Sequence, residues 1–383
     1  AAISRVNFKD TFIIIGPNHT GYGKPFSLMS EGSWETPLGR VEIDEALSGK
    51  ILALSKYLES DNLAHQAEHS IEVQLPFLQY FKPDVKIVPI ILGGGDAAIF
   101  KEIGHEIVEA VRESGRDAVI LASSDMNHYE SLEETRKKDG IAIEAMLKLD
   151  ADKLVETVKQ NRITMCGFGP AAVMINAAME LGAGKAELVR YQTSGEVSGD
   201  FDQVVGYAGI LVKKMHPAVR LAKKAVELYI KEGKVYCPDE SELTSELREK
   251  AGVFVSIKKN GELRGCIGTF EPFYDNVAEE IVYNAISAST RDPRFDAVEP
   301  HELDKLEYSV DILTAPEPVK SERYLDAKKY GVIVESGLRR GLLLPDIEGV
   351  DTPAQQIAIC RQKGGIGEND PITLYRFEVK RYR

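Results

Sequence analysis

Nowhere does the sequence hold a run of about 18 apolar residues, the length a membrane-spanning helix needs. Its opening, AAISRVNFKD, lacks the basic and apolar regions of a secretory signal, so the chain reads as cytoplasmic and off the membrane. Cysteine is scarce: Cys166, Cys237, Cys266 and Cys360 lie far apart with no CxxC pair, which argues against a zinc ribbon or a disulfide framework and predicts free thiols. Positive charge is in deficit, with 47 Lys and Arg against 60 Asp and Glu and a net charge of -13. Such a balance disfavours indiscriminate binding to phosphate backbones or anionic membranes, and nucleic acid is not an expected partner. Gly93-Gly94-Gly95 matches neither G-x-G-x-x-G nor a Walker loop, so it reads as a strand-end turn. Internal repeats and low-complexity segments are also missing.

What is there is globular: 383 residues, 43% hydrophobic and 28% charged, too many for one ordinary core and about right for two. The pattern predicts domains at 1–213 and 214–383. In the first, apolar β-rich runs (TFIIIG at 11–16, VKIVPIILGGG at 85–95, DAVILASSD at 117–125, then AELVRYQ and VVGYAGILV) suit strands buried on both faces. Helical periodicity is expected over 61–81, 97–114, 132–149, 153–160 and 170–181, giving an α/β domain with a largely parallel sheet flanked by helices. Near His216 the rhythm changes. HPAVRLAKKAVELYIKEG is amphipathic, and GVFVSIKKNGELRGCIGTF sets Asn260-Gly261, the preferred pair of a type I′ turn, between two alternating runs. Strands in LEYSVDIL, YGVIVES, RGLLLPDI and TLYRFEVKRY, with helices over 275–289 and 352–363, predict a separate α+β domain.

Ligands of open α/β sheets bind beyond the carboxyl ends of the strands, which directs attention to polar residues just after apolar runs. IIIGPNHTG delivers His19, ILASSDMNHYE delivers Ser123, Ser124, Asp125 and His128, and TMCGFGPAA puts Cys166 just before a helix whose free N–H groups would favour a thiolate. Imidazole and thiolate at converging strand ends suit iron or copper, and zinc less well, with Asp125 and His128 as supporting or acid/base groups. The bland reading makes the histidines hydrogen-bonded loop residues and Cys166 a small buried apolar side chain. His65-Gln66-Ala67-Glu68-His69 also fits H-x-x-E-H, which on a helix would set His65 and His69 on one face as in a zinc peptidase; a polar stripe above Ile71, Leu75 and Leu78 is the structural alternative, and Pro76 interrupts the helix either way.

Taken in order, GPNHTG, AEHSIEVQLPFL, ILASSDMNHYE and TMCGFGPAA resemble the Memo family across about 11–212. The resemblance implies a fold similar to class III extradiol dioxygenases, His19 and Cys166 as metal ligands, Asp125 and His128 in the same cleft, and His69 in support on a cleft helix. It also implies a strand before GPNH that ends in a Pro-His-Ala-Gly-Tyr type motif and supplies a further histidine; that motif does not occur here. The sequence is therefore expected to be either a fragment of a longer protein or a divergent copy that lost a ligand and an early strand, with two protein ligands instead of the three that open catalytic sites generally keep. From His216 onward, LRGCIGT, NAISASTRDPRF and YGVIVESGLRRGLLLP resemble the AMMECR family. There Arg264, Cys266, Asn284, Ser287, Asp292 and Arg294 are expected to converge on a groove, or else Cys266 is core and Asp292 with Arg294 clamps a turn. Both modules recur beside a radical SAM protein in the AmmeMemoRadiSam system, which implies such a protein as partner; this chain lacks a CxxxCxxC motif and is not that enzyme. The implied function is a metal-dependent enzyme or enzyme subunit with redox or dioxygenase-like chemistry on an unidentified small-molecule or protein substrate. A non-catalytic module that presents a substrate or partner protein is the competing reading, and the zinc peptidase is a third.

Overall fold

The computed structural model describes residues 2–383, which divide into two compact units, one ending at Lys214 and the other spanning Met215–Arg383. The first unit begins with β1 (Thr11–Pro17), β2 (Phe26–Leu28), β3 (Ser33–Thr36), β4 (Gly39–Ile43), α1 (Glu45–Leu54) and β5 (Glu59–Ser60). Then come α2 (Leu75–Phe81), β6 (Lys86–Leu92), α3 (Ala97–Ser114), β7 (Ala118–Ala122), β8 (His128–Glu130), α4 (Leu132–Leu147) and α5 (Ala151–Gln160). The unit closes with α6 (Phe168–Glu180), β9 (Ala183–Thr193), the single turn α7 (Gly195–Ser198) and β10 (Val204–Lys214).

Its main sheet runs β3-β4-β6-β1-β7, with β1 parallel to both β6 and β7 and β4 parallel to β6. All seven residues of β1 are buried because both faces are covered. Phe12 and Ile14 pack with Leu75 and Leu78 of α2, whereas Ile13 and Ile15 pack with Ile103 and Ile107 of α3 and Ala172 of α6. Each such side chain contributes about 1.5–3 kcal/mol by leaving water. An α/β unit with a parallel, helix-flanked sheet is therefore present.

Three local expectations are corrected. The runs AELVRYQ and VVGYAGILV do not join the parallel sheet: β9 and β10 pair antiparallel, with β8, in a sheet of order β8-β10-β9. Only one helical turn lies between them, and a parallel return needs a crossover of a dozen or more residues. The helix expected over 61–81 exists only as α2, preceded by 3₁₀ turns at Leu63–His65 and Glu72–Gln74. Pro76 sits in the first turn of α2, where a missing N–H costs nothing, and upstream the Glu68 carboxylate takes the Ser70 N–H that a helix would have used. Between residues 17 and 60, where the sequence pattern predicts no element, lie β2–β5 and α1; strands of two to five residues are too short to show alternation. A groove of about 1230 Å³ is lined by Val119 and Leu121 of β7 and Ala208 and Ile210 of β10, and its wall includes Gln74, Ser123, Ser124 and Met126.

The second unit comprises α8 (Pro217–Glu232), α9 (Ser245–Arg248), β11 (Val253–Lys259), β12 (Glu262–Thr269), α10 (Val277–Thr290) and β13 (Leu306–Leu313). It continues with β14 (Glu317–Val319), β15 (Gly331–Ser336), β16 (Arg339–Leu343), α11 (Pro353–Gly364), β17 (Thr373–Phe377) and β18 (Val379–Tyr382). Asn260 and Gly261 adopt φ of 53° and 84°, the paired positive values of the predicted I′ turn joining β11 to β12. The sheet β12-β11-β13-β18 turns Val253, Val255 and Ile257 onto a core shared with α8 and α10, and a second antiparallel sheet, β14-β17-β15-β16, packs against α11. The single run TLYRFEVKRY is split at Glu378 between the two sheets. Among the described residues no helix is long and apolar enough to cross a membrane.

Gly265 lets α10 approach β12 so closely that a Cβ there would lie 2.0 Å from the Ala288 carbonyl oxygen. Backbone cannot rotate away as a side-chain end can. Gly265→Ala is expected to destabilise the second unit by about 1–3 kcal/mol, read as a lower denaturant midpoint for the transition this unit carries.

Candidate functional site

Parallel pairing of β1 with β7 brings two strand ends side by side. Ser123, the first residue after β7, donates its N–H to the Ile15 carbonyl (2.9 Å) and its hydroxyl to the Ser70 carbonyl (2.6 Å), while Gln74 Nε2 donates to its Oγ (3.0 Å). Beyond β1 comes His19; beyond β7 come Ser124, Asp125 and His128; and the 68–70 segment is fastened across both. The polar residues thus gather at the carboxyl ends of adjacent parallel strands, where such sheets bind ligands.

Glu68 is the centre of the first cluster, its side chain removed from solvent. Its Oε2 accepts the His19 backbone N–H (2.6 Å), and its Oε1 accepts the His19 ring at Nδ1 (2.9 Å) and the Ser70 N–H (2.9 Å). Burial acts to raise this carboxyl, but the His19 ring and the two backbone donors outweigh it and hold Glu68 below the ordinary carboxylate range. A carboxylate only accepts, so His19 Nδ1 carries the proton and Nε2 is left free. This is the arrangement by which an acidic residue orients a metal-binding imidazole. His69 stacks on His19 with ring centroids 4.9 Å apart, and its Nδ1 lies 3.7 Å from Glu68 Oε1. The ligand atoms of His19, Glu68 and His69 lie within 4.8 Å of one another.

Cys166 anchors the second cluster. Its sulfur accepts the Asp125 backbone N–H at 3.2 Å and lies 4.0 Å from Ser124 Oγ. The sequence expects a thiolate favoured by the following helix; the structure instead starts α6 at Phe168, and burial pushes the Cys166 thiol up, so the free protein keeps the proton on sulfur. His128 Nε2 stands 3.6 Å from Asp125 Oδ2, and its Nδ1 meets the Thr164 carbonyl at 2.6 Å. Asp125 is half-exposed and His128 largely covered.

His65 does not share this site. The zinc-peptidase spacing needs one helix, and that helix is absent. His65 is buried edge-on against Trp34, with Nδ1 3.0 Å from the Asp61 carbonyl, and burial lowers its pKa. The other tight donor group among the described residues, His105, Glu109 and Glu180, is on the surface with the Arg112 guanidinium bonded to both carboxylates (2.7 and 2.8 Å), so a cation is already there.

In the second unit the six expected groove residues fall into separate hydrogen-bonded sets. Asp292 is buried and accepts the Cys266 N–H (2.8 Å) and a two-pronged grip from Arg294 (Nε 2.9 Å, Nη2 2.7 Å), and Arg294 also reaches the Cys266 carbonyl (3.2 Å). The Cys266 sulfur accepts the Ser256 hydroxyl at 3.2 Å. Arg264 instead binds Glu302 (3.2 and 3.0 Å) and the Asp296 and Ala297 carbonyls; together with Lys259 it holds Glu302 down at about 2. Asn284 belongs with buried Glu280 and Thr269 Oγ1 (3.3 Å). Ser287 is half-buried on α10, where its carbonyl accepts the Arg291 N–H. The sequence does not single out Glu280, Glu302, Asn127, Asp139 or Thr164, whose importance lies in burial and partners that spacing does not encode.

Fold and side chains together define an α/β unit with a histidine–carboxylate cluster around Glu68 and a separate cluster around Cys166 beyond its strand ends, followed by an α+β unit. The chain belongs to the Memo family: the Memo-like protein model matches residues 1–211, and the AMMECR1 model matches residues 219–382. It is similar to a MEMO1 family protein of Pyrobaculum aerophilum, 46% identical over 211 residues that cover 55% of this chain and 75% of that one. A MEMO1 family protein of Methanosarcina acetivorans is 47% identical over 205 residues, 53% of this chain and 76% of the relative. Among solved structures, the uncharacterized protein PH0010 of Pyrococcus horikoshii covers 43% of this chain and 88% of its own at 34% identity, with a TM-score of 0.40.

Arg294 holds the Asp292 carboxyl well below its ordinary range, so the ionised form stabilises the fold. That contribution is present above the ordinary carboxylate pKa and is lost as pH falls through the lowered folded-state value. Asp292→Ala is expected to cost about 1–3 kcal/mol at neutral pH, and denaturation across an acid series should show this cost shrinking below the ordinary carboxylate range.

Proposed function

We propose that the Memo unit is a metal-dependent enzyme or enzyme subunit with redox or dioxygenase-like chemistry, assisted by the AMMECR1 unit. The observation that carries this reading is the His19 ring, fixed through Nδ1 by buried Glu68 so that Nε2 is unclaimed. A nitrogen held open by a buried carboxylate fits a metal better than it fits a structural histidine. Cys166 is the second ligand in this reading, and its sulfur ligates only after losing a proton that burial now retains, a loss a nearby cation promotes. Imidazole with thiolate favours iron or copper over a hard cation. His69, stacked on His19, and Glu68 are the further donors close to His19.

Bound iron or copper, held by His19 and Cys166, would supply electron transfer and Lewis acidity. The chain's own residues do the rest. His128 Nε2, beside the Asp125 carboxylate, accepts a proton and has its positive form balanced there. Asp125 has a second duty, since its backbone N–H holds the Cys166 sulfur in place. A radical SAM protein is the proposed partner; its support is the association of Memo and AMMECR modules in one system, which their fusion here matches.

Elemental analysis by plasma mass spectrometry of the anaerobically purified chain tests the reading. Close to one iron or copper per chain is expected, with a loss of roughly tenfold or more in occupancy in both His19→Ala and Cys166→Ala. Metal-free protein, or occupancy unchanged in both variants, would overturn it in favour of a module that binds and presents a partner.

A further inference from the structure

We infer that Asn127 is a positioning residue for His128: acting through Thr164, it holds the imidazole as its Nδ1–H tautomer and turns the bare Nε2 to the cleft. This deepens the proposed function, on which the proton-accepting role of His128 rests.

The argument begins with a hydrogen-bond constraint. His128 Nδ1 lies 2.6 Å from the Thr164 backbone oxygen, and a carbonyl can only accept. The ring proton must therefore be on Nδ1, which leaves Nε2 as the basic nitrogen, 3.6 Å from Asp125 Oδ2. A free imidazole in water has no such compulsion, so the tautomer is set by whatever fixes Thr164.

Asn127 fixes it. Its Oδ1 accepts both the Thr164 N–H and the Thr164 hydroxyl, each at 3.1 Å, and that hydroxyl oxygen in turn accepts the His128 backbone N–H at 2.7 Å. The amide's other end donates to Glu130 Oε2 at 2.7 Å, which settles which end is oxygen, and Glu130 is held by Lys138 at 2.6 Å. Beneath lies Asp139, fully buried, which takes the Asn127 N–H on Oδ1 (2.8 Å) and the Tyr191 hydroxyl on Oδ2 (2.8 Å). The fit leaves no slack: a Cβ on Gly206 would lie 1.8 Å from Asp139 Oδ2. Buried polar groups are costly unless satisfied, and this set has its partners, so it behaves as a rigid frame. They act on His128 through residue 164, whose carbonyl meets the ring and whose hydroxyl takes the His128 backbone N–H.

The test is spectroscopic and needs neither metal nor substrate. In the full chain labelled with ¹⁵N and stripped of metal, long-range proton–nitrogen spectra at a pH where the ring is neutral should show His128, assigned by loss of its signals in His128→Gln, with a protonated Nδ1 and a bare Nε2. Asn127→Ala should raise the Nε2–H form roughly fivefold, the weight of one hydrogen bond. Thr164→Val should do the same, whereas Thr164→Ser, which keeps the oxygen, should restore the native spectrum. If Asn127→Ala fails to fold, the Thr164 pair decides alone. An Nε2–H ring in the unaltered chain, or variants with the native tautomer, would overturn the inference. Metal content, measured separately, tells its failure from that of the metal-site reading: a metal-free chain with the Nδ1–H ring sinks only the latter.

Discussion

One buried serine ties the cleft together. Ser123 continues the parallel ladder by donating to Ile15, and its side chain then bonds the Ser70 carbonyl and accepts from Gln74. Three chain segments far apart in sequence are thereby held within a few ångströms: the end of β1 with His19, the 68–70 turn with Glu68 and His69, and the end of β7 with Asp125 and His128. Neighbouring contacts leave little room for error, since a Cβ on Gly16 would lie 2.3 Å from Ser70 Oγ and one on Gly167 would lie 2.4 Å from the Ser123 carbonyl. The glycines of GPNH and MCGFG are needed here for close approach, and their motifs contain them for that reason.

Around this staple, two of the unit's buried carboxyl groups, Glu68 and Asp139, are each met by hydrogen-bond donors. Glu68 stays ionised because three donors face it; Asp139, with two, has its carboxyl pushed up by burial. The contrast follows from the number of hydrogen bonds set against desolvation. It also divides the labour, with Glu68 acting directly on the ring of His19 and Asp139 acting at a distance through Asn127.

In the second unit the same logic is used for rigidity. Asp292 and Arg294 bracket Cys266 through its backbone N–H and carbonyl, and Arg264 donates directly to the Asp296 and Ala297 carbonyls while pairing with Glu302. The motif LRGCIGT thus combines a clamp (Arg264), a close approach (Gly265) and a half-buried thiol in hydrogen-bond contact with Ser256. Asp292 and Arg294 bond each other across the turn, as a clamp requires, and also reach the Cys266 backbone on β12.

Much was decided by the sequence alone. The parallel core strands, α3 at Ala97–Ser114, the Asn260-Gly261 hairpin and the change of architecture near His216 follow from periodicity and turn chemistry, which are local. His19, Asp125, His128 and Cys166 stood out because strand ends in such sheets carry function, and the motifs around them carried the family. Tertiary structure alone decided the rest. The segment after Asp61 abandons helix because the Glu68 side chain competes for its N–H groups; β9 and β10 leave the parallel sheet because their connection is too short; TLYRFEVKRY splits because two sheets share it. Which nitrogen of His19 is free and what holds His128 depend on partners tens of residues away, and no spacing rule reaches that far.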